Sequence, residues 1–260
     1  MKKAILLCCA LLALTASVAS AAAGVNLRWT NCFGDAGTLD RTFACNTNTS
    51  GVATNHFLAA SFELPTDLPQ GAAVGVKIDV ATAGASLPDW WKFTNPGNCR
   101  QTALSAAAQD GVACPDWAQG QASVSIAGYN EGAVGGPNTA DINIANAVSL
   151  DLVQDLVAGQ EYGVVRLTIT NAKTVGTPSC AGCADAACII INSVDMFSAV
   201  DNGALHIFMF GPTNGTDSNY VTWQGGAGIT VDWNGSPISG CPDAVPVRKS
   251  TWGAVKALYR

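Results

Sequence analysis

Three cysteines fall within nine residues, in Cys180-Ala-Gly-Cys183-Ala-Asp-Ala-Ala-Cys188, and run directly into the apolar stretch Ile189 to Val194. A cross-linked turn feeding a β-branched core strand is the plainest fold for such a segment, and it demands partners for those thiols elsewhere in the chain. Of the ten cysteines, Cys8 and Cys9 lie in the N-terminal apolar run, which leaves Cys32, Cys45, Cys99, Cys114, Cys180, Cys183, Cys188 and Cys241. An even number in an exported chain reads as disulfides, and eight cysteines allow about 105 connectivities. Local closure favours Cys32–Cys45 and Cys99–Cys114, with two further bridges among the remaining four, one of them tying Cys241 back to the cluster. The competing reading of Cys180-x-x-Cys183 with Cys188 is a zinc site, which an oxidising compartment disfavours. No metal and no cofactor are expected.

Export follows from the first 21 residues. Lys2 and Lys3 precede an apolar run from Ala4 to Val18, and Ala19-Ser20-Ala21 has the small residues of a cleavage site. Residues 1–21 are therefore read as a signal peptide, 22–243 as one domain and 244–260 as a separate tail. No later run approaches 18 continuous apolar residues, so no transmembrane helix is expected. Losing Lys2 and Lys3 takes the net charge from −6 to −8, which argues against nucleic acid as a partner of the body.

The body reads as a mainly β, disulfide-stapled sandwich or jelly-roll-like fold with one or two short helices. Period-two or continuous apolar strands are expected at 25–29, 56–64, 73–80, 121–129, 140–148, 162–170, 189–194, 205–210 and 220–223, with Gly/Asn/Pro turns between them. Ser149 to Gly159 has the signature of a short helix: a capping Ser149, Leu152, Val153, Leu156 and Val157 on one face, and a terminal Gly159. The alanine-rich Ser105–Gln109 suggests one further helical turn.

Several segments together resemble a group of uncharacterised secreted proteins of environmental bacteria. They are Trp90-Trp91, Cys99-Arg100-Gln101, Gly136-Pro137-Asn138-Thr139, Val157 to Tyr162, Cys180 to Val194, Thr222 to Gly226, and the terminal Thr251-Trp252-Gly253-Ala-Val255-Lys256-Ala-Leu258-Tyr259-Arg260. The resemblance covers most of the chain after the leader. It implies the fold and the export, and it carries no activity.

Function is weakly marked. His56 and His206 are the two histidines, the latter alternating with Phe208 and Phe210 on one strand, and no nucleophile-elbow, His-Glu-x-x-His or phosphate-loop motif occurs. The expectation is an exported structural or interaction protein without catalysis. A carbohydrate-binding module is the alternative, with Trp90, Trp91 and Trp117 offering ring faces and Asp89, Asn95 or Asn98 bonding hydroxyls. In that reading one of the adjacent Trp90 and Trp91 is exposed, because neighbours in an extended segment point to opposite sides, while Trp223 fills the core. A third reading is a secreted glycoside hydrolase, needing a carboxylate pair drawn from Glu63, Glu131, Glu161, Asp89 or Asp116. Calcium has two loop candidates, Asp232 to Gly235 and Asn214 to Asn219, and turn chemistry explains both equally well. The tail is locally +4, from Arg248, Lys249, Lys256 and Arg260, and Trp252, Val255, Leu258 and Tyr259 fall at helical spacing. Its readings are a sorting segment, with Trp252, Lys256, Tyr259 and Arg260 recognised by an export or surface component, and a terminal element packed on the domain.

Overall fold

The computed structural model describes residues 23–109, 114–132, 135–229 and 241. The signal segment, Asp232 to Gly235 and the tail 244–260 lie outside them. Among the described residues twelve strands form, in chain order Gly24–Trp29 (β1), Asp40–Arg41 (β2), His56–Glu63 (β3), Leu68–Thr82 (β4), Leu104–Ala107 (β5) and Ser123–Glu131 (β6). They continue with Thr139–Ala147 (β7), Gln154–Leu156 (β8), Glu161–Ile169 (β9), Ala187–Ser198 (β10), His206–Met209 (β11) and Tyr220–Trp223 (β12).

Two sheets result. The smaller has the order β1-β3-β9-β5, and the larger has β2-β12-β10-β4-β7-β6, with β11 added to β10 and β8 to β4. The inward residues of both sheets form one buried cluster, including Leu27, Leu58, Phe62, Val165 and Leu167 from the small sheet and Val76, Ile78, Ile142, Ile191 and Val194 from the large one. This is the disulfide-stapled sandwich that the alternating strands lead one to expect.

A bulge between Ile191 and Ser193 lets β10 keep Ile189, Ile191, Val194 and Met196 inside despite the odd spacing. Its second consequence is on the other side of the sheet: Ser193, Asp195 and Phe197 face outward together. The strand β10 is thus two alternating half-strands joined out of phase.

Both expected helices are absent. Gln154–Leu156 pairs with β4, and Asp155 accepts the Gln70 amide at 2.9 Å. Only Leu156 of the apolar face is buried, while Leu150 and Val157 stand exposed. Pairing with the N-terminal end of β4 outweighs the weak helical periodicity of an eleven-residue window. Ser105–Gln109 is likewise taken by the sheet, since β5 pairs with β9 from Leu104 to Ala107. Short 3-10 turns are the helical elements among the described residues, one of them at Asp89–Trp91.

The disulfides are Cys32–Cys114, Cys45–Cys183, Cys99–Cys180 and Cys188–Cys241. Both local pairings are overturned, and only the tie from Cys241 to the cluster is as expected. Cys32 follows β1 and Cys114 follows β5, the two outer strands of the small sheet, so their bridge passes across that sheet's outer face over Ala59. Cys180, Cys183 and Cys188 go to three separate regions and no thiolate remains for zinc. The four bridges belong to an oxidising compartment, and no helix among the described residues is long and apolar enough to cross a membrane.

Candidate binding face

The tryptophans proposed as sugar platforms are core residues. Trp90 and Trp91 are fully buried and Trp117 is 1% exposed. The 3-10 turn at 89–91 replaces the extended segment that would have turned one of them outward. Trp90 stacks on Trp223 at 5.0 Å, Trp91 meets the same ring edge-on at 5.8 Å, and Trp29 and Phe43 complete the cluster. Trp223 is in the core, as its strand position implies. Arg100 closes the cluster from one end: it is 2% exposed, lies 3.7 Å over the Trp90 ring and donates to the carbonyls of Trp90, Ala172 and Thr170. Burial lowers its pKa to about 9.

The polar partners proposed with the tryptophans serve turns. Asp89 is exposed and pairs with Lys92 at 2.8 Å, Asn98 donates to Glu131 at 2.6 Å, and Asp116 accepts the amides of Ala118 and Gly120. Asn214 Oδ1 accepts from the amides of Thr216, Asp217 and Ser218, so that loop is closed by its own turn chemistry.

A carboxylate pair does exist on the outer face of the small sheet, where Glu63 and Glu161 are direct cross-strand neighbours. Both oxygens of Glu161 are committed: they accept from Ser61, Phe33 N, Gly34 N and Asn26. Glu161 therefore holds the 33–35 turn onto the sheet. Burial, and secondarily Glu161, raise the pKa of Glu63. Cys32 and Cys114 also lie beside Glu161, but as a disulfide they offer no thiolate ligand.

The outer face of the large sheet offers a surface of a different kind. Along β4 the inward Val74, Val76, Ile78 and Val80 alternate with outward Gly75, Lys77, Asp79 and Ala81. Gly75 leaves a depression, since a Cβ there would meet no atom within 4 Å. The depression is a groove of about 340 Å³ lined by Gly75, Lys77, Asn143, Ser193, Asp195 and Phe197 among others. The bulge in β10 supplies the last three of these. Next to it, β11 pairs antiparallel with β10, placing His206 opposite Phe197 and Phe208 opposite Asp195.

His206 lies flat against Phe197, with ring centroids 5.4 Å apart and planes 14° apart, and its Nδ1 is 2.7 Å from Asp195 Oδ1. Phe208 and Phe210 are each 54% exposed, with centroids 6.0 Å apart. Phe197 thus lines a groove furnished with an ammonium, an amide, a hydroxyl and a carboxylate, and His206 and Phe208 stand on the adjacent strand, with Phe210 following it. The His206–Asp195 contact resembles the base-and-orienter half of a catalytic triad, but no hydroxyl or thiol among the described residues is hydrogen-bonded to the imidazole.

Deeper along the same face, Asp79 stands directly opposite Asp141 of β7. Asp79 is fully buried and Asp141 is 6% exposed. Burial raises the Asp79 pKa to about 7; Lys77 opposes the shift and Asp141 adds to it.

The aromatic border was open to sequence reasoning. In His206-Ile-Phe-Met-Phe210 both alternating sets are ring-bearing or apolar, so whichever set the core accepts, the other is stranded outside. The groove was not, because it depends on a bulge that periodicity does not mark. No protein-family model matches this chain, and no curated protein matches it.

Proposed function

We propose that this chain is an exported, non-catalytic interaction protein of the extracellular space or cell surface, and that its ligand is a polysaccharide lying across the outer face of the large sheet. The carrying observation is the pair Phe208 and Phe210, half exposed at the sheet edge beside a polar groove, while Trp29, Trp90, Trp91, Trp117 and Trp223 are all buried. Phenyl faces shed water against the C–H faces of sugar rings, and Lys77, Asn143, Ser193 and Asp195 supply donors and acceptors for hydroxyls. The alternative first attached to Trp90, Trp91 and Trp117 is thereby moved to other residues on the opposite side of the sheet. The signal segment and the four disulfides support export. The basic-aromatic tail 244–260, by its charge contrast with an acidic body, is read as the segment handed to an export or surface-attachment component.

Affinity electrophoresis of the oxidised protein through gels containing a panel of soluble polysaccharides tests the reading. Retardation by at least one polymer, lost in Phe208→Ser/Phe210→Ser with thermal stability retained, is the expected result. Equal mobility of both forms across the whole panel would remove the glycan and leave a protein partner. Intrinsic fluorescence is a poor probe here, because the five tryptophans named above are shielded from any ligand.

A further inference from the structure

Among the described residues, no side chain or backbone group occupies the space between Asp79 and Asp141 as a hydrogen-bond donor or ion-pair partner to both. Asp79 Oδ1 and Oδ2 and Asp141 Oδ1 accept no hydrogen bond, although all three are buried. Asp141 Oδ2 is taken by Asn143 Nδ2 at 2.8 Å. Lys77, two residues along the same face, acts on Asp79 electrostatically without an ion pair between them among the described residues. Buried carboxylates go unpaired at a cost of several kcal/mol each, and two of them facing one another across a strand pair add mutual repulsion. Such an arrangement persists where a proton or a metal cation sits between the two groups.

We infer that Asp79 and Asp141 form a divalent-cation site of the calcium class on the outer face of the large sheet. The ligand set is three oxygens from two carboxylates on adjacent, hydrogen-bonded strands, with Asn130 of β6 opposite Asp141 on the far side. All are hard oxygen donors and no sulfur or imidazole joins them, a set that suits calcium or magnesium and not zinc or copper. Calcium tolerates irregular coordination and completes its shell with water, which suits a site built on flat sheet geometry. Neither carboxylate belongs to the loop candidates read from the sequence, of which Asp232 to Gly235 is outside the described residues.

The site explains the face around it. Lys77 and Asn143 line the groove and also flank the carboxylates. An ion there fixes the spacing of β4 and β7 and removes the repulsion that would otherwise splay the two side chains.

The test is calorimetric titration of the metal-free protein at pH 8 with calcium chloride, and separately with magnesium chloride, alongside thermal unfolding in each salt and in EDTA. One calcium per chain is expected to bind, and calcium one hundredfold above its Kd should raise the melting temperature by roughly 5–10 °C over EDTA. Asp79→Asn and Asp141→Asn, which keep shape and remove charge, should each weaken binding at least tenfold and abolish that rise, with Asp151→Asn as an exposed control that changes neither. Heat-silent titrations of both metals together with melting curves indifferent to EDTA would overturn the site. So would an undiminished calcium response in Asp79→Asn. Should one variant fail to fold, the other and the wild-type stoichiometry still decide.

Discussion

Two buried titratable side chains push the stability of this protein in opposite directions with pH. Arg41 Nε donates to His56 Nδ1 at 3.1 Å, which leaves Nε2–H to donate to Asn171 Oδ1 at 2.9 Å, so the imidazole is built to be neutral. Burial first, and Arg41 second, lower its pKa from 6.5 to about 4. Between those values the unfolded chain holds a proton that the fold does not, and stability rises with pH. Asp79 does the reverse: raised from 3.8 to about 7, it keeps a proton in the fold that the unfolded chain has released, and stability falls with pH. Each slope is about 1.4 kcal/mol per pH unit, so across roughly pH 4 to 6.5 they cancel. Asp79→Asn in chelated buffer should uncover the histidine: relative to wild type, its urea-derived stability should climb by about 2–3 kcal/mol over that interval. A difference that stays flat with pH would mean that Asp79 does not hold its proton as described, and a flat profile in the variant itself would mean the same of the neutral His56. Arg100 makes a second residue-scale prediction. It bonds three carbonyls with one planar fork while covering Trp90, and a lysine has neither the fork nor the flat face. Arg100→Lys should cost about 3 kcal/mol in chemical denaturation; a loss under about 1 kcal/mol would show the carbonyls to be satisfied by water.

At the scale of elements, the strands were the legible part because their alternation is driven by the same burial that the sequence displays. Val74 to Val80, Ile142 to Asn146 and Val164 to Ile169 read correctly since each has one wholly buried set. Gln154–Leu156 did not, because the information that makes it a strand is in Leu68 and Gly71 of its partner, about 85 residues away by the Gln70–Asp155 bond. Trp90 and Trp91 failed for a related reason: the argument that neighbours point apart holds for extended backbone, and Pro88 leads instead into a tight turn. The candidate binding face was half legible, its rings visible in 206–210 and its groove hidden in the β10 bulge. That groove exists because position 75 carries no side chain, and a Cβ there meets open space. Gly75→Leu should therefore fill it with little strain, leaving the melting temperature within a few degrees while weakening polysaccharide retention at least tenfold. Full retention in that variant would confine the ligand to the Phe208–Phe210 edge.

For the whole molecule, the cysteine cluster told that the fold was stapled but not to what. Loop-closure reasoning favours near neighbours, whereas the sandwich brings together ends that are remote in sequence: the four bridges span 82, 138, 81 and 53 residues. Two pairings are set by loops that meet at the 180–183 turn, Cys32–Cys114 by segments that cross the outer face of the small sheet, and Cys188–Cys241 by a cysteine within β10 itself, all of them properties of the topology. Cys45 and Cys99 both reach the 180–183 turn, so the loops after β2 and before β5 are drawn to the start of β10 beside the Trp90–Trp223 stack. The longest bridge, Cys45–Cys183, should be the most consequential for the unfolded chain, by about 5 kcal/mol on the loop-entropy estimate. Against the 5–15 kcal/mol typical of a domain, that is a third or more of the total. The Cys45→Ser/Cys183→Ser variant should then melt about 10–20 °C lower than wild type, with the Cys99–Cys180 pairing still recovered by non-reducing peptide mapping. A drop of only a few degrees would place the stabilisation in the aromatic packing around Trp223 and make the bridge a lock on a turn that already forms without it.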